Sequence, residues 1–315
     1  MKSYRKYLIQ ASIMLAWLVG TASAALAQQD AQYTQFFANQ MVLNPAYAGS
    51  RDAISLTALY RNQWTGFPGA PTTETVSLHA PIFKGSSGAG MSLLHDKIGI
   101  TDNSVVSGAY AYRIDLGKAH LALGLSGELR LQQMNWALAN PLEAADPSIS
   151  YTQRSLLLPN FGTGIYLDAE RYYLGLSIPH LLEPAMRYVS PNQSATHLAQ
   201  LRRHFFLSSG LAVNVSESIV FRPQLLLKYV ANAPLQADIN VGLVLKDKVW
   251  FGTTFRTHDS MDFFLQYSFS PRLRVGYAFD FSVTAMSPYQ SGSHELLLAL
   301  DLGKSRNGFF HPRYF

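Results

Sequence analysis

The chain has 315 residues, 48% hydrophobic and 14% charged, with 25 Lys and Arg against 20 Asp and Glu. That charge content lies well below the roughly 25% of soluble domains, and the basic residues are scattered, which excludes a nucleic-acid surface. The absence of cysteine excludes disulfides, thiolate metal sites, cysteine nucleophiles and a lipid-modified cysteine.

The first 27 residues read as a secretory signal peptide. Lys2, Arg5 and Lys6 precede an apolar run from Leu8 to Gly20, and Ala25-Leu26-Ala27 offers an A-x-A site, so cleavage is expected after Ala27. Cleavage removes three positive charges and takes the formal net charge from +5 to +2. No later window approaches the roughly 20 apolar residues of a membrane-spanning helix. Residues 28–52 do not alternate, and turns punctuate them at Asn44-Pro45 and Gly49-Ser50. Tyr33, Phe36, Phe37 and Tyr47 need cover, so this segment is expected in the periplasm or packed on or inside a barrel mouth.

From Ala53 the pattern changes to short stretches in which every second residue is apolar. Strands are expected at 53–61, 72–80, 88–96, 104–114, 119–131, 160–168 and 171–178. They continue at 203–215, 218–230, 235–246, 248–257, 260–270, 272–282 and 293–302. In a strand such alternation makes one apolar and one polar face. Leu273, Val275, Tyr277, Phe279 and Phe281 alternate with Arg272, Arg274, Gly276, Ala278 and Asp280; Met261, Phe263, Leu265, Tyr267 and Phe269 repeat the pattern. A soluble sandwich alternates too, but its wet face carries more Lys, Glu and Thr. The fold class expected is therefore all-β, a transmembrane antiparallel β-barrel of about 14 strands of the outer-membrane type. The even count puts both ends in the periplasm. The connections on that side are then all short, whereas 62–71, 132–159, 179–202 and 283–292 all fall on the outer side, as in bacterial barrels.

The stripes assign faces. Leu121, Leu123, Leu125, Leu129 and Leu131 face lipid, as do Leu296, Leu298, Leu300 and Leu302, while Tyr60, Tyr112, Tyr172 and Tyr229 suit an interfacial girdle. Inward positions carry both signs: Arg113, Glu128, Arg130, Arg222, Lys228, Asp238, Arg256, Asp262, Arg274, Asp280, Glu295 and Asp301. Such a lumen either pairs its charges and closes or lines a water-filled pore. Catalytic signals are weak. His258-Asp259-Ser260 holds the residue types of a triad, but adjacent residues cannot form its relay, and a hairpin loop is expected there. Gly88-Ala89-Gly90 and Gly162-Thr163-Gly164 lack a following helix and are expected to relieve crowding at barrel bends. No metal, cofactor or enzyme activity is expected.

Several long motifs then resemble the PorP/SprF family of outer-membrane proteins, associated with the type IX secretion system of the Bacteroidetes. They are QDAQYTQFFANQMVLNPAYAGS (29–50), YRNQWTGFPGAPTTETVSLHAP (60–81), LHDKIG (94–99), YAYRIDLG (110–117), YYLGLSIPHLL (172–182), LLLKYVANAPLQADIN (226–240) and GSHELLLALDL (292–302). PRYF (312–315) is similar to the family's ending, with His311 in place of its usual Ser. The resemblance implies a non-enzymatic barrel in the outer membrane that assists export or surface attachment of secreted proteins. Its partners would be large adhesins with a C-terminal sorting domain, some tied to gliding motility, together with periplasmic or outer-membrane secretion components. The alternative is a porin-like barrel for small solutes. Four parts are expected: signal peptide 1–27, segment 28–52, barrel 53–302 and periplasmic tail 303–315. Partner contact is expected at Trp64, Phe67 and Pro68 on the outer side and at Arg313, Tyr314 and Phe315 in the tail. Trp64 is expected to matter most, because aromatic anchors dominate interface energetics.

Overall fold

The computed structural model describes residues 30–51, 53–135, 138, 154–188 and 196–303. The expected signal peptide and the tail residues Arg313, Tyr314 and Phe315 lie outside the described residues. The strands are β1 (Ile54–Asn62), β2 (Thr72–Ile82), β3 (Ser87–Ile98), β4 (Thr101–Asp115), β5 (Ala119–Met134), β6 (Arg154–Ala169) and β7 (Tyr172–Ile178). β8 runs His204–Leu211 and continues past Ala212 as Val213–Ser216. β9 (Ile219–Val230), β10 (Gln236–Leu245), β11 (Val249–Arg256), β12 (Ser260–Ser268), β13 (Leu273–Ser282) and β14 (Ser293–Leu302) follow. Each pairs antiparallel with its sequence neighbours, and β1 pairs with β14, Ile54 opposite Leu302 and Asn62 opposite His294. The sheet is a closed 14-stranded barrel with no free edge.

Alternation dictates the faces. Phe263, Leu265 and Tyr267 stand exposed on the outside of β12 while Asp262, Phe264 and Gln266 between them are buried. Exposed Tyr60 and Tyr229 near one rim and Tyr112 and Tyr172 near the other form aromatic belts. One end carries turns no longer than four residues, among them Lys246-Asp247, both at positive φ as a tight type I′ hairpin requires. The other end carries the long connections 63–71, 135–153, 179–203 and 283–292, and is the outer end. Two boundaries are corrected. The β4–β5–β6 ladder extends outward beyond the expected limits, with Gln132 opposite Leu156 and Met134 opposite Arg154, so the loop expected at 132–159 shrinks to 135–153. Backbone pairing continues there although Leu156-Leu157-Leu158 does not alternate. Inside the loop expected at 179–202, Ala185–Tyr188 pairs with Thr196–Gln200 as a short hairpin.

Residues 30–51 lie inside the barrel. The segment enters at the outer end, where Asp30 meets His180 and His204. It leaves at the inner end, where Arg51 meets Asp301, and turns directly into β1. A 3-10 turn (Phe36–Ala38), one α-helical turn (Gln40–Leu43) and a second 3-10 turn (Pro45–Tyr47) fold it compactly. Asn44 caps the last by accepting from the Ala46 N–H at 2.9 Å. Its apolar side chains are the core of the molecule. Phe37 sits 4.3 Å from Trp250 and 5.0 Å from Phe264, ring centre to ring centre. Tyr47 packs edge-on against Tyr166 at 5.3 Å.

The wall is cut to receive this segment. A side chain at Gly88 would run into the Ala48 carbonyl oxygen, one at Gly124 into the Ala46 backbone, and one at Gly164 into the Asn44 side chain. The glycine-rich runs at 88–90 and 162–164 therefore make room for neighbours, Gly88 for the Ala48 backbone, Gly90 for the Met41 sulfur, Gly164 for the Asn44 side chain and Gly162 for the Pro179 carbonyl, a use that the expectation of eased barrel bends did not include. Gly88→Ala and Gly124→Ala are expected to unseat the segment and raise single-channel conductance in planar bilayers, with heat-modified gel mobility unchanged. Unchanged conductance in both folded variants would contradict this packing.

Candidate functional site

The site is the lumen and the segment that fills it. Because period 2 sends alternate residues inward, β1, β9, β10, β11, β12, β13 and β14 deliver Arg61, Lys228, Asp238, Arg256, Asp262, Asp280 and Glu295 to its outer half. Arg61 sits 2.6 Å from Asp280 and 3.5 Å from Glu295. Arg256, with no exposed surface, lies 3.2 Å from Asp238 and 3.8 Å from Asp262, and Lys228 lies 2.7 Å from Asp238. Charges taken out of water need both ion partners and hydrogen bonds, and the segment supplies the latter. Glu295 accepts from the Thr34 and Gln35 backbone N–H groups at 2.8 and 2.9 Å. Thr34 donates its hydroxyl to Asp280 and accepts from Arg61, both at 2.6 Å. Arg256 donates to the Tyr33 carbonyl oxygen at 2.9 Å, and Gln266 to the Gln35 side chain at 2.8 Å.

Lower contacts are of the same kind. Ser77 donates to the Asn39 side-chain oxygen at 2.6 Å, and Ser177 to the Leu43 carbonyl at 2.7 Å. Arg113 donates to the Gly49 carbonyl at 2.8 Å, while the Gly49 N–H donates to His79 Nδ1. Opposite the Arg61 and Arg256 networks, the Asp30 carboxylate lies 3.0 Å from His180 Nε2, 3.3 Å from His204 Nδ1 and 3.6 Å from Arg130. His180 Nδ1 faces Glu128 at 3.4 Å. Each ring nitrogen of His180 thus meets a carboxylate, which suits the imidazolium because it donates from both. Burial pulls the His180 pKa down, but Asp30 and then Glu128 outweigh it and hold it above the ordinary value. Burial pushes Asp30 up, and His180, His204 and Arg130 together bring it well below the usual carboxylate range.

The arrangement holds the chain's own segment 30–51. Among the described residues no three His, Asp or Glu side chains group to hold a metal ion. His258 stands at positive φ in a hairpin, Asp259 is 3.5 Å from Arg256, and Ser260 begins β12.

The sequence matches the family model described as type IX secretion system membrane protein PorP/SprF over residues 25–300. The chain belongs to the PorP/SprF family. No curated protein matches its sequence. Among solved structures this PorP/SprF barrel is similar to the CymD monoaromatic hydrocarbon channel, at TM-score 0.48 and 11% identity, covering 87% of this chain and 94% of that one. It is also similar to the outer membrane protein Omp33 of Acinetobacter baumannii, at TM-score 0.45 and 8% identity, covering 80% and 99%. The Pseudomonas putida toluene transporter TodX gives TM-score 0.45 and 10% identity, covering 88% and 99%.

Of the residues expected to meet partners, this PorP/SprF barrel places Trp64, Phe67 and Pro68 together in the outer connection 63–71. Trp64 is half-buried at φ 50, a conformation uncommon for a bulky residue, and its N–H donates to Ser293 Oγ at 3.1 Å. Phe67 and Pro68 are exposed. Backbone bonds from Thr65 to Gly292 and from Ser291 to Thr65, both 2.8 Å, zip this connection to 283–292, and Gly99 ties it to the β3–β4 turn. The sequence reading missed Arg61, Asp30, His180 and His204. Arg61 had a signal, because outward Tyr60 puts its neighbour inward. His204 had the same signal, standing in the expected strand 203–215 beside outward Phe205, whereas Asp30 and His180 lie outside any stripe.

The His180 shift has a sign. A raised pKa means that its stabilisation of the Asp30 contact is complete below the ordinary histidine value of about 6.5 and is lost as pH rises through the raised value. The depressed Asp30 pKa confines the acid-side loss to pH below the usual carboxylate range. Amide hydrogen exchange over residues 30–33, corrected for intrinsic base catalysis, is expected to quicken as pH rises above about 6.5 and through the raised His180 value. His180→Gln is expected to remove most of that dependence, and an identical pH response in the variant would contradict the assignment.

Proposed function

We propose that this outer-membrane barrel serves type IX secretion as a closed docking component. It assists export or surface attachment of particular secreted proteins, such as large adhesins carrying a C-terminal sorting domain and including those used in gliding, without a catalytic step or cofactor. The observation that carries the reading is the lumen filled by residues 30–51, from Asp30 at the outer end to Arg51 at the inner. A barrel blocked by its own chain works through its rims rather than by solute flow, which disfavours the porin-like alternative. On the outer rim the zipped connections 63–71 and 283–292 hold Trp64, Phe67 and Pro68 in a fixed display for an exported partner. On the inner rim the tail 303–315, with Arg313, Tyr314 and Phe315, is proposed to meet periplasmic machinery. Cleavage after Ala27 belongs to the same proposal and leaves two residues ahead of Asp30.

The test is surface display of the cognate exported protein, with barrel abundance read by heat-modified mobility. Trp64→Ala is expected to cut partner affinity by roughly thirtyfold, the scale of a buried aromatic anchor, and to lower display accordingly. Shortening 283–292 or deleting 304–315 is expected to lower display as well. Normal display in all three strains at normal barrel abundance would contradict the docking reading.

A further inference from the structure

The plug is uneven along its length. From Tyr33 to Arg51 it is bonded to the wall or pressed against wall glycines. Asp30–Gln32 is instead a crosspiece: it leaves Tyr33, held by Arg256 on β11, and reaches the opposite wall, where Asp30 sits among His180, His204 and Arg130. A cavity lies on each side. The larger, about 110 Å³, is bounded by Leu94, Asn103 and Val105 on the β3–β4 wall, with Met41, Leu43 and Pro45 of the plug as its floor. The smaller, about 50 Å³, lies against Phe206, Leu226, Lys228 and Val230 of β8 and β9. The Asn103 side chain is buried, and its Oδ1, in the wall of the larger cavity, has no hydrogen-bond partner. The Asp30 carboxyl keeps 21% exposure and lines both cavities.

We propose that the Arg130–His180–His204 seat is a carboxylate-binding pocket that Asp30 fills as an internal stand-in, and that an acidic peptide segment of an exported protein exchanges with it from the outer face. Charge complementarity selects the occupant. With Asp30 gone, Arg130 and the two imidazoles keep Glu128, and Asp96 across the larger cavity, as acidic neighbours, but the donors that faced Asp30 lose their acceptor, which an entering carboxylate restores. The surroundings select a peptide: the present occupant is an irregular run of chain, the flanking cavities offer both apolar groups such as Leu94 and Leu226 and polar ones such as Ser107 and Lys228 to neighbouring side chains, and Asn103 offers an unused acceptor to a backbone N–H. Because Tyr33–Arg51 stays seated, exchange opens a pocket toward the outside and no passage through the barrel. Arg130, His180 and His204 then act as receptor residues, and Asp30 as their competitor.

The inference rests on the docking function proposed above, and its test is separate from surface display. Purified full-length barrel in detergent is titrated with the fluorescent amide of acetyl-Asp-Ala-Gln, the crosspiece sequence, with the acetyl-Asn form as control. Asp30→Asn barrel is expected to bind the aspartyl peptide at least roughly tenfold tighter than wild type, because its seat lacks a charged occupant and a charge-assisted contact is worth that much. Adding Arg130→Gln is expected to return binding to the wild-type level. A variant lacking residues 30–32 vacates the seat by a different route and is expected to behave like Asp30→Asn, so a folding defect in one leaves the other to decide. Equal binding by wild type and both vacated variants, or equal binding of the asparaginyl peptide, overturns the proposal. Displacement of the peptide by acetate at matching concentration assigns the seat to small carboxylates and overturns it too. Display in cells can fail while peptide binding persists, and the reverse, so the two readings fall independently.

Discussion

Closing a sheet of alternating residues forces one face of every strand into a shared interior, and in this chain that face is charged. The rest of the structure answers that constraint. Arg256, Asp238, Asp262 and Glu295 have no exposed surface, and unpaired charges in such a place cost several kcal/mol each. Ion pairs meet part of the need. Carboxylates and guanidinium groups retain further hydrogen-bonding capacity, and the plug backbone provides it: the Thr34 and Gln35 N–H groups to Glu295 and the Tyr33 carbonyl to Arg256. Buried ion pairs are weak evidence of stability but can specify one arrangement among several. Here they fix the height and rotation of the segment, since a one-residue slip would move Thr34 away from Asp280 and Arg61 together.

Packing completes what polarity begins. The plug backbone touches the wall where Gly88 and Gly124 have no side chains, and Phe37, Trp250 and Phe264 interlock on the β11–β12 side. Arg222 lies 3.8 Å over the Trp250 ring, a cation–π contact that joins the charged and aromatic layers. With the lumen occupied in this way the proposed partner contacts fall to the rims, and the connections 63–71 and 283–292 of the outer rim are tied to each other by hydrogen bonds. Family membership in type IX secretion and a blocked interior therefore point the same way.

The barrel was legible because lipid imposes period 2 on each strand independently of its neighbours, as Met261 to Tyr267 and His294 to Leu302 show. The paired register was less so: β5 and β6 continue past Leu131 and before Asn160, where backbone hydrogen bonds persist after the stripe has decayed. The plug left a compositional trace, aromatic residues without alternation, enough to expect burial at or inside the mouth. It was not enough to show a path from end to end, because lumen contacts join residues some 250 positions apart. His180 meets Asp30 through folding of the 179–203 connection, and nothing in its local sequence marks it, whereas His204 opens β8 beside outward Phe205 and alternation marks it as inward. Arg61 was readable from its neighbour Tyr60, since the same alternation applies to both.

The account turns on the seating of residues 30–51 inside the closed barrel, and the absence of native cysteine makes disulfide trapping a direct test. Asn39 on the plug and Ser77 on β2 are hydrogen-bonded at 2.6 Å, so a pair of cysteines at these positions lies near bridging range. In intact cells the Asn39→Cys, Ser77→Cys double variant is expected to form an intramolecular disulfide that changes gel mobility without reductant, while each single variant stays reduced and monomeric. A folded double variant whose two thiols both remain free to alkylation under oxidising conditions would contradict the seated plug.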